Sequence, residues 1–179
     1  VQPPSHRASG GLGRPPWWWR RGERLAERLG HPLPSRGSIA VLRPVLVRDD
    51  AIEDLSRANA FDVNNTELYV VRGYAYLLNA NTASALKDFS RAIELDPNAS
   101  AAFEGRGLAN SFAEASDEAY ADLNRAIELD PRSPVAYAFR AVVYKQNNQP
   151  DIGAKDVETA IKLDPNSPEA LWARGEIAE

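Results

Sequence analysis

The segment AIELDP at residues 92–97 returns as AIELDP at residues 126–131 and as AIKLDP at residues 160–165. Pro97, Pro131 and Pro165 end the three copies and are equally spaced. A fixed period of about 34 residues is typical of proteins in which one structural unit is stacked on the next. The sequence therefore predicts a stacked-repeat architecture.

One unit, residues 66–99, has the pattern of two short helices. In each half of the unit, residues at offsets 0, 4 and 7 share one face of an α-helix. These faces are formed by Tyr69, Gly73 and Tyr76, and by Ala85, Phe89 and Ala92. Pro97 ends the second helix, because the residue before a proline is disfavoured in helical geometry. The unit is therefore a pair of helices, each with one apolar face.

The next two units, residues 100–133 and 134–167, follow the same pattern without insertion or deletion. These residues resemble the tetratricopeptide repeat (TPR) family, whose pattern places an aromatic, Leu-Gly, Tyr, Ala, an aromatic or Leu, Ala and Pro at set offsets. One departure is Asn110, which stands where the pattern has tyrosine. The resemblance implies an all-α fold, a TPR α-solenoid of antiparallel helix pairs in a right-handed superhelix.

We expect a TPR domain at residues 49–179 that is built from unequal parts. Its predicted parts are a degenerate half repeat at 50–65, full repeats at 66–99, 100–133 and 134–167, and a terminal helix at 168–179. Serine before proline, at Ser133 and Ser167, predicts helix N-caps, because the serine oxygen can accept from a free backbone N–H. Ser100 and Ser116 are further capping candidates.

Residues 1–48 differ from the rest in charge, with nine arginines, no lysine and two acidic residues, a net charge of +7. Residues 49–179 carry a net charge of −11. Arginines around Trp17-Trp18-Trp19 are compatible with a membrane-interface helix, with stacking on single-stranded nucleic acid or with a targeting peptide. We favour a largely disordered Arg/Pro/Gly-rich leader, and we expect neither nucleic acid nor a membrane as the partner.

Arginine recurs one residue before the small position of each first helix, where the family pattern has Leu. The four positions are Arg72, Arg106, Arg140 and Arg174. Asp54, Asp88, Asp122 and Asp156 recur with the same period on the second helices. A charge on the packed face must be paired, because burying it alone costs several kcal/mol. We therefore predict Arg–Asp pairs between neighbouring helices, with the arginine stems against the aromatics; the alternative is a basic ladder that faces an acidic ligand.

In proteins of this family the first helices line a concave groove, and the resemblance implies the same here. The candidate peptide-binding residues are Val70, Tyr74, Leu77, Glu104, Leu108, Ser111, Ala138, Val142, Lys145 and Trp172. Some family members grip a peptide's C-terminal carboxylate with Lys and Asn at such places. Here those places hold Val70, Tyr74, Glu104 and Leu108, so we do not expect this activity. An apolar groove favours a peptide with apolar anchors. The alternative is that Tyr74, Leu108 and Val142 only complete the packing between repeats.

The sequence offers no convergent set of reactive side chains. It has no cysteine, and its two histidines, His6 and His31, lie in the leader. The acidic residues fall at repeat spacing, as is usual for solvated helix faces. We therefore expect no enzymatic activity, no cofactor and no small-molecule substrate. The absence of cysteine fits a reducing compartment, and we expect a cytoplasmic protein.

Together these patterns predict a non-catalytic scaffold that binds a peptide segment of another protein in its concave groove. Two alternatives stay open. The chain could be the TPR portion of a larger enzyme whose catalytic part is absent from it. The basic, tryptophan-containing leader could instead bind nucleic acid or a membrane.

Overall fold

The computed structural model describes residues 49–178, and the side chains from Ala51 onward. The predicted leader at residues 1–48 lies outside the described residues, and so do the membrane, nucleic-acid and targeting interpretations that depend on it. The described elements are all α-helices. They are α1 Asp49–Phe61, α2 Thr66–Leu78, α3 Thr82–Leu95, α4 Ser100–Phe112, α5 Ser116–Leu129, α6 Pro134–Gln146, α7 Pro150–Leu163 and α8 Pro168–Ala178.

The helices form pairs that stack along one axis. The closest packing is within the pairs α2–α3, α4–α5 and α6–α7, and each second helix also packs on the first helix of the next pair. At the two ends, α1 packs on α2, and α8 packs on α6 and α7. The predicted all-α solenoid is confirmed.

Two of the four predicted serine caps are present. Ser133 Oγ accepts from the backbone N–H of Ala136 at 3.3 Å, and Ser167 Oγ accepts from that of Ala170 at 3.2 Å. Ser100 and Ser116 are instead the first residues of α4 and α5, whose caps are alanines without a side-chain hydrogen bond. Serine followed by proline therefore marks the cap better than serine alone does. Proline alone does not, since α7 begins at Pro150 and its cap Gln149 makes no side-chain hydrogen bond.

Phe89 fills the centre of the largest core cluster, which extends from α2 to α6. Its ring is fully buried and meets the ring of Tyr74 edge-on, with 5.1 Å between centroids. Gly73 and Gly105 both lie against it, and a Cβ added at Gly73 would come within 2.7 Å of the Phe89 ring. The small residues of the repeat thus leave space on the first helices, and the large residue of the second helix fills it.

Three of the predicted Arg–Asp pairs form, and each is bidentate. Arg72 Nε lies 2.7 Å from Asp88 Oδ2 and Arg72 Nη2 lies 2.8 Å from Asp88 Oδ1. The same geometry recurs in Arg106–Asp122 and Arg140–Asp156. Each pair joins the two helices of one repeat, and we call the set the Arg–Asp ladder. The structural interpretation of these arginines is confirmed.

The remaining guanidinium nitrogen of each ladder arginine reaches the preceding repeat. Arg72 Nη1 donates to Ser56 Oγ, Arg106 Nη1 donates to Ser90 Oγ, and Arg140 Nη1 donates to Asn124 Oδ1. Each ladder arginine therefore holds three helices together: its own, the second helix of its repeat and the second helix before it.

Aromatic rings cover the ladder arginines, as predicted. The guanidinium carbon of Arg72 lies 5.5 Å from the Tyr69 ring centroid, and that of Arg140 lies 5.6 Å from the Tyr137 centroid, within cation–π range. The hydrogen bonds that Arg72 donates to Asp88 raise the pKa of Arg72 above its ordinary value and outweigh the opposing effect of burial. Asn110, which replaces the expected tyrosine, donates to Asp122 Oδ2 at 3.0 Å and so joins the ladder instead.

At the ends of the ladder, the predicted pairing is not met for Arg174, and for Asp54 it falls on residues outside the described part of the chain. Asp54 lies 3.8 Å from Arg57 on its own helix. Arg174 is exposed and makes no ion pair within residues 51–178. In the described part of the chain, a ladder pair needs an arginine on a first helix and an aspartate on the helix that follows it. Arg174 has no such counterpart among residues 51–178, and the residues before 49, where a first helix for Asp54 is expected, lie outside the described range.

We predict that Arg106→Ala lowers the free energy of unfolding by about 3 kcal/mol, because the buried Asp122 carboxylate loses its cation and keeps the hydrogen bond from the neutral Asn110 amide. Arg125→Ala is the matched control: the Arg125–Glu128 pair is exposed, and its loss should cost less than about 1 kcal/mol. Urea unfolding followed by circular dichroism measures both. Equal losses from the two substitutions would contradict a structural role for the ladder.

We also predict that Gly73→Ala lowers the free energy of unfolding by about 1–3 kcal/mol, because the new methyl group forces the Phe89 ring to move. Gly175→Ala should instead raise it by roughly 0.5–1 kcal/mol through helix propensity, because in the described part of the chain no neighbouring atom lies within 4 Å of a Cβ added there. Thermal unfolding in dilute solution compares the two variants. A stabilising Gly73→Ala would show that the Phe89 contact is not tight.

Candidate functional site

An apolar concavity of about 410 Å³ opens between the first helices of the repeats and α8. We call it the groove. Its lining comes from α2, α4, α6 and the start of α8, so it spans all three full repeats. The lining residues are Tyr74, Leu77, Leu78, Leu108, Phe112, Phe139, Pro168, Glu169 and Trp172.

The groove has a buried floor and an exposed rim. Tyr74 and Phe139 form the floor, with 3% and 4% of their surface exposed. The rim side chains are large and apolar, yet Phe112 is 52% exposed and Leu78 and Trp172 are each 39% exposed. A concave apolar surface that stays open to water is the usual form of a ligand site.

The floor is held in place by the core beneath it. Tyr74 packs edge-on against the fully buried Phe89. Phe139 meets Trp172 in a T-shaped arrangement with 6.3 Å between ring centroids. These contacts anchor the groove lining to the packed core of the helices.

Four of the ten predicted site residues line the groove. They are Tyr74, Leu77, Leu108 and Trp172. Of these, Leu77 and Leu108 are half-buried and Trp172 is exposed, whereas Tyr74 offers little surface. The structure brings them together from α2, α4 and α8.

Three of the predicted site residues belong to the core instead. Val70 packs in the cluster around Phe89, and Ala138 and Val142 pack against α7 and α8 residues in a second cluster. All three are at most 4% exposed. The alternative interpretation, packing between repeats, therefore holds for Val142, because the neighbouring helices cover it.

The other three predicted residues are polar and have partners within the chain. Glu104 accepts a hydrogen bond from Ser133 Oγ, the cap of α6. Ser111 Oγ donates to Gln146 Oε1 at 2.7 Å. Lys145 Nζ lies 3.7 Å from Glu176 Oε2. These side chains connect neighbouring first helices and do not line the groove.

Sequence reasoning missed five lining residues. Leu78 and Phe112 are one period apart and adjacent to predicted positions, so the period could have found them. Phe139 had no such signal, because Gly105 occupies its place one repeat earlier. Pro168 and Glu169 lie at the start of α8, which the sequence marked as a terminal helix and not as a groove wall.

Glu169 is the acidic member of the lining and is itself buried. Its Oε2 accepts from Ser167 Oγ at 3.0 Å, at the N-terminus of α8. A carboxylate is favoured there because the helix dipole is positive at that end. The groove therefore combines an apolar surface with a negative charge at one wall.

Between residues 49 and 178 no group of three or more His, Cys, Asp or Glu side chains is placed to hold a metal ion. In the same range no helix is both long enough and apolar enough to cross a lipid bilayer.

The chain matches two family models, both described as tetratricopeptide repeat, at residues 66–99 and at residues 140–179. A comparison with curated protein sequences gives no match.

Solved structures of similar fold include TPR proteins of Thermus thermophilus, human and Arabidopsis. TTC0263, a thermophilic TPR protein of Thermus thermophilus, has a TM-score of 0.65 at 20% identity, with 90% of this chain and 77% of that one covered. The second TPR domain of human RPAP3, in complex with the HSP70 peptide SGPTIEEVD, has a TM-score of 0.54 at 21% identity, with 64% and 99% covered. The Arabidopsis OM64 TPR domain has a TM-score of 0.57 at 20% identity, with 63% and 93% covered. At these identities the likeness shows the fold alone.

We predict that Val142→Glu unfolds the chain or lowers its melting temperature strongly, because a carboxylate would be buried without a partner. Leu108→Glu should change stability by less than about 1 kcal/mol, because its side chain reaches water at the groove surface. Circular dichroism during heating compares the two. If both variants melt together with the unsubstituted chain, the placement of Val142 in the core is wrong.

Proposed function

Because this chain is built from tetratricopeptide repeats, we propose that it is a non-catalytic module that binds a peptide segment of another protein in the groove. The observation that carries the proposal is the rim. Phe112, Leu78 and Trp172 are large apolar side chains that remain exposed around a concave surface. Covering them with a ligand removes apolar surface from water, which favours binding.

The residues that line the groove also indicate which kind of peptide it would bind. Its floor and rim accept aliphatic or aromatic side chains, which are the usual anchors of a peptide in a helical groove. Human RPAP3 binds an acidic HSP70 peptide through its second TPR domain. In this chain the wall carries Glu169, and Val70, Tyr74, Glu104 and Leu108 stand where Lys or Asn would grip a carboxylate. We therefore propose a partner segment with apolar anchors and without acidic residues.

Three sequence-based expectations remain predictions beside this proposal. They are the absence of enzymatic activity, the cytoplasmic location and the lack of a small-molecule substrate or cofactor. The alternative that the repeats belong to a larger enzyme concerns sequence outside this chain.

The test is selection of binders from a phage-displayed library of random peptides on the immobilised full chain. Selected peptides are then measured by fluorescence anisotropy against the chain and against a Leu108→Glu, Phe112→Glu variant. We expect enriched peptides to share two or more apolar anchors and to lose at least about tenfold in affinity on the variant, because a carboxylate in the groove opposes apolar burial. The acidic peptide SGPTIEEVD should bind weakly or not at all.

The matched control is the double variant Ile152→Glu, Leu163→Glu, which places two carboxylates on exposed apolar residues outside the groove lining. It should bind the selected peptides as the unsubstituted chain does. Equal binding to the groove variant, or enrichment of acidic peptides, would overturn the proposal.

A further inference from the structure

One segment of the leader has the chemistry that the groove favours. Residues 14–22, RPPWWWRRG, hold three adjacent tryptophans and three arginines, and residues 1–22 include no acidic residue. We call residues 14–22 the tryptophan segment; it lies outside the described residues, and its chemistry is that of its sequence. Tryptophan and arginine are among the residue types that contribute most to binding at protein interfaces.

The groove presents aromatic surface to such a segment. Phe112 and Trp172 are 52% and 39% exposed at its rim, and Tyr74 and Phe139 lie in its floor. The rings of Phe139 and Trp172 already meet in a T-shaped arrangement, which is one of the packings that aromatic side chains prefer. Tryptophan rings from a docked peptide would extend this aromatic cluster and bury its exposed members.

The charges of the two parts of the chain are opposite. The leader has a net charge of +7, and residues 49–179 have a net charge of −11. Apart from the recurring arginines, the charged residues of the four helices that line the groove are Glu67, Glu104, Glu169 and Glu176 against Lys145. Opposite charges steer association and select the partner, so this side of the stack favours a basic segment over an acidic one.

The connection between the segment and the groove is long enough for both to meet. Residues 23–48 separate the tryptophan segment from α1. A flexible chain of that length has a root-mean-square end-to-end distance of about 30 Å. Helix α1 packs on α2, and Tyr74, Leu77 and Leu78 of α2 line the groove. The tether therefore gives the segment a local concentration of about 1 mM at the groove of its own chain.

We propose that the tryptophan segment docks in the groove of its own chain and competes there with the partner peptide. The tryptophans bury apolar surface against Leu108, Phe112 and Trp172, while Arg20 and Arg21 lie toward the acidic side chains around the groove. A segment of another protein binds only when it displaces the tryptophan segment. This inference rests on the proposed function, because both use the groove as a peptide site.

The competition is measured on the full chain and on the full chain with Trp17→Ser, Trp18→Ser and Trp19→Ser. The probe is a fluorescein-labelled synthetic peptide with the sequence of residues 14–22, followed by fluorescence anisotropy. We expect the tryptophan-free variant to bind the probe at least about tenfold more tightly than the full chain, because the tethered competitor no longer occupies the groove. Equal affinities for the two proteins, or no binding to the variant, would refute the proposal.

A pair of neutral substitutions locates the contact. Adding Leu108→Ser and Phe112→Ser to the tryptophan-free variant should weaken probe binding at least about tenfold, because apolar surface is lost without a change in charge. The matched control adds Ile152→Ser and Leu163→Ser, which are exposed and outside the groove lining, and should leave the affinity unchanged. Equal effects of the two pairs would place the contact outside the groove.

A second leader peptide tests the choice of segment. Residues 39–47, IAVLRPVLV, are also apolar, but they contain one arginine and no aromatic residue. This peptide should bind the tryptophan-free variant at least about tenfold more weakly than the probe does. Tighter binding of the 39–47 peptide would assign the groove to that segment and contradict the proposal.

A spin label tests the docking without an added peptide. The sequence has no cysteine, so Gly22→Cys provides a single attachment site beside the tryptophans. We expect the label to broaden the amide signals of Leu77 and Phe112 more strongly than those of Ile152 and Leu163. Uniform broadening would count against the groove. Selective broadening in a mixture of spin-labelled chain and separate isotope-labelled chain would show docking between copies and exclude docking within one chain.

The peptides selected from the random library separate this inference from the proposed function. They are measured on the full chain, on the tryptophan-free variant and on the variant with Leu108→Ser and Phe112→Ser. If they bind the first two equally and lose affinity on the third, the groove is a peptide site that the leader does not occupy, and this inference alone fails. If no selected peptide binds in the groove of any of these proteins, the proposed function itself fails.

Discussion

The bidentate Arg–Asp pair is the interaction on which the solenoid depends. Each arginine replaces an apolar residue at a packed position, so its charge has to be neutralised where water is scarce. An aspartate neutralises each charge by accepting two hydrogen bonds from its arginine; the three aspartates are Asp88, Asp122 and Asp156. Because a buried ion pair has strict geometry, it also fixes the register of one helix against the next, which apolar contacts alone define less sharply.

The ladder explains why the groove can be apolar. Its arginines face the second helices, so the polar interactions that align the stack lie away from the concave side of the first helices. Tyr74, Leu77 and Leu108 are then available to present apolar surface at the groove, while Phe89 supports them from below. The ion pairs that align the stack and the apolar surface of the groove thus lie on different faces of the same helices.

Periodicity predicted most of the fold and only part of the site. Helix pairs, the ladder partners and the role of small residues follow from positions that recur once in every repeat. The groove depends on departures from that period. Phe139 stands where earlier repeats have Gly105 and Val71, and its ring reaches Trp172 only because α8 packs on α6.

Val142 could not be placed from its pattern, since a core residue and a groove residue share the same helical spacing. Burial could not be predicted for the polar candidates either. Glu104 and Ser111 have the spacing of groove residues, but each finds a partner on α6 or its cap. Such pairings depend on which side chains meet across two repeats, and a single repeat contains no information about them.

The contact of Phe89 with both Gly73 and Gly105 has a consequence for the order of folding. Its ring joins α2, α3 and α4, which follow one another directly in the chain, so its contacts close only short loops, which form fast. The flanking pairs can then add to this centre one at a time, as in other linear arrays. The segment from α2 to α5 should accordingly exchange its amide hydrogens last, while α1, which contacts α2 alone among the described helices, opens first.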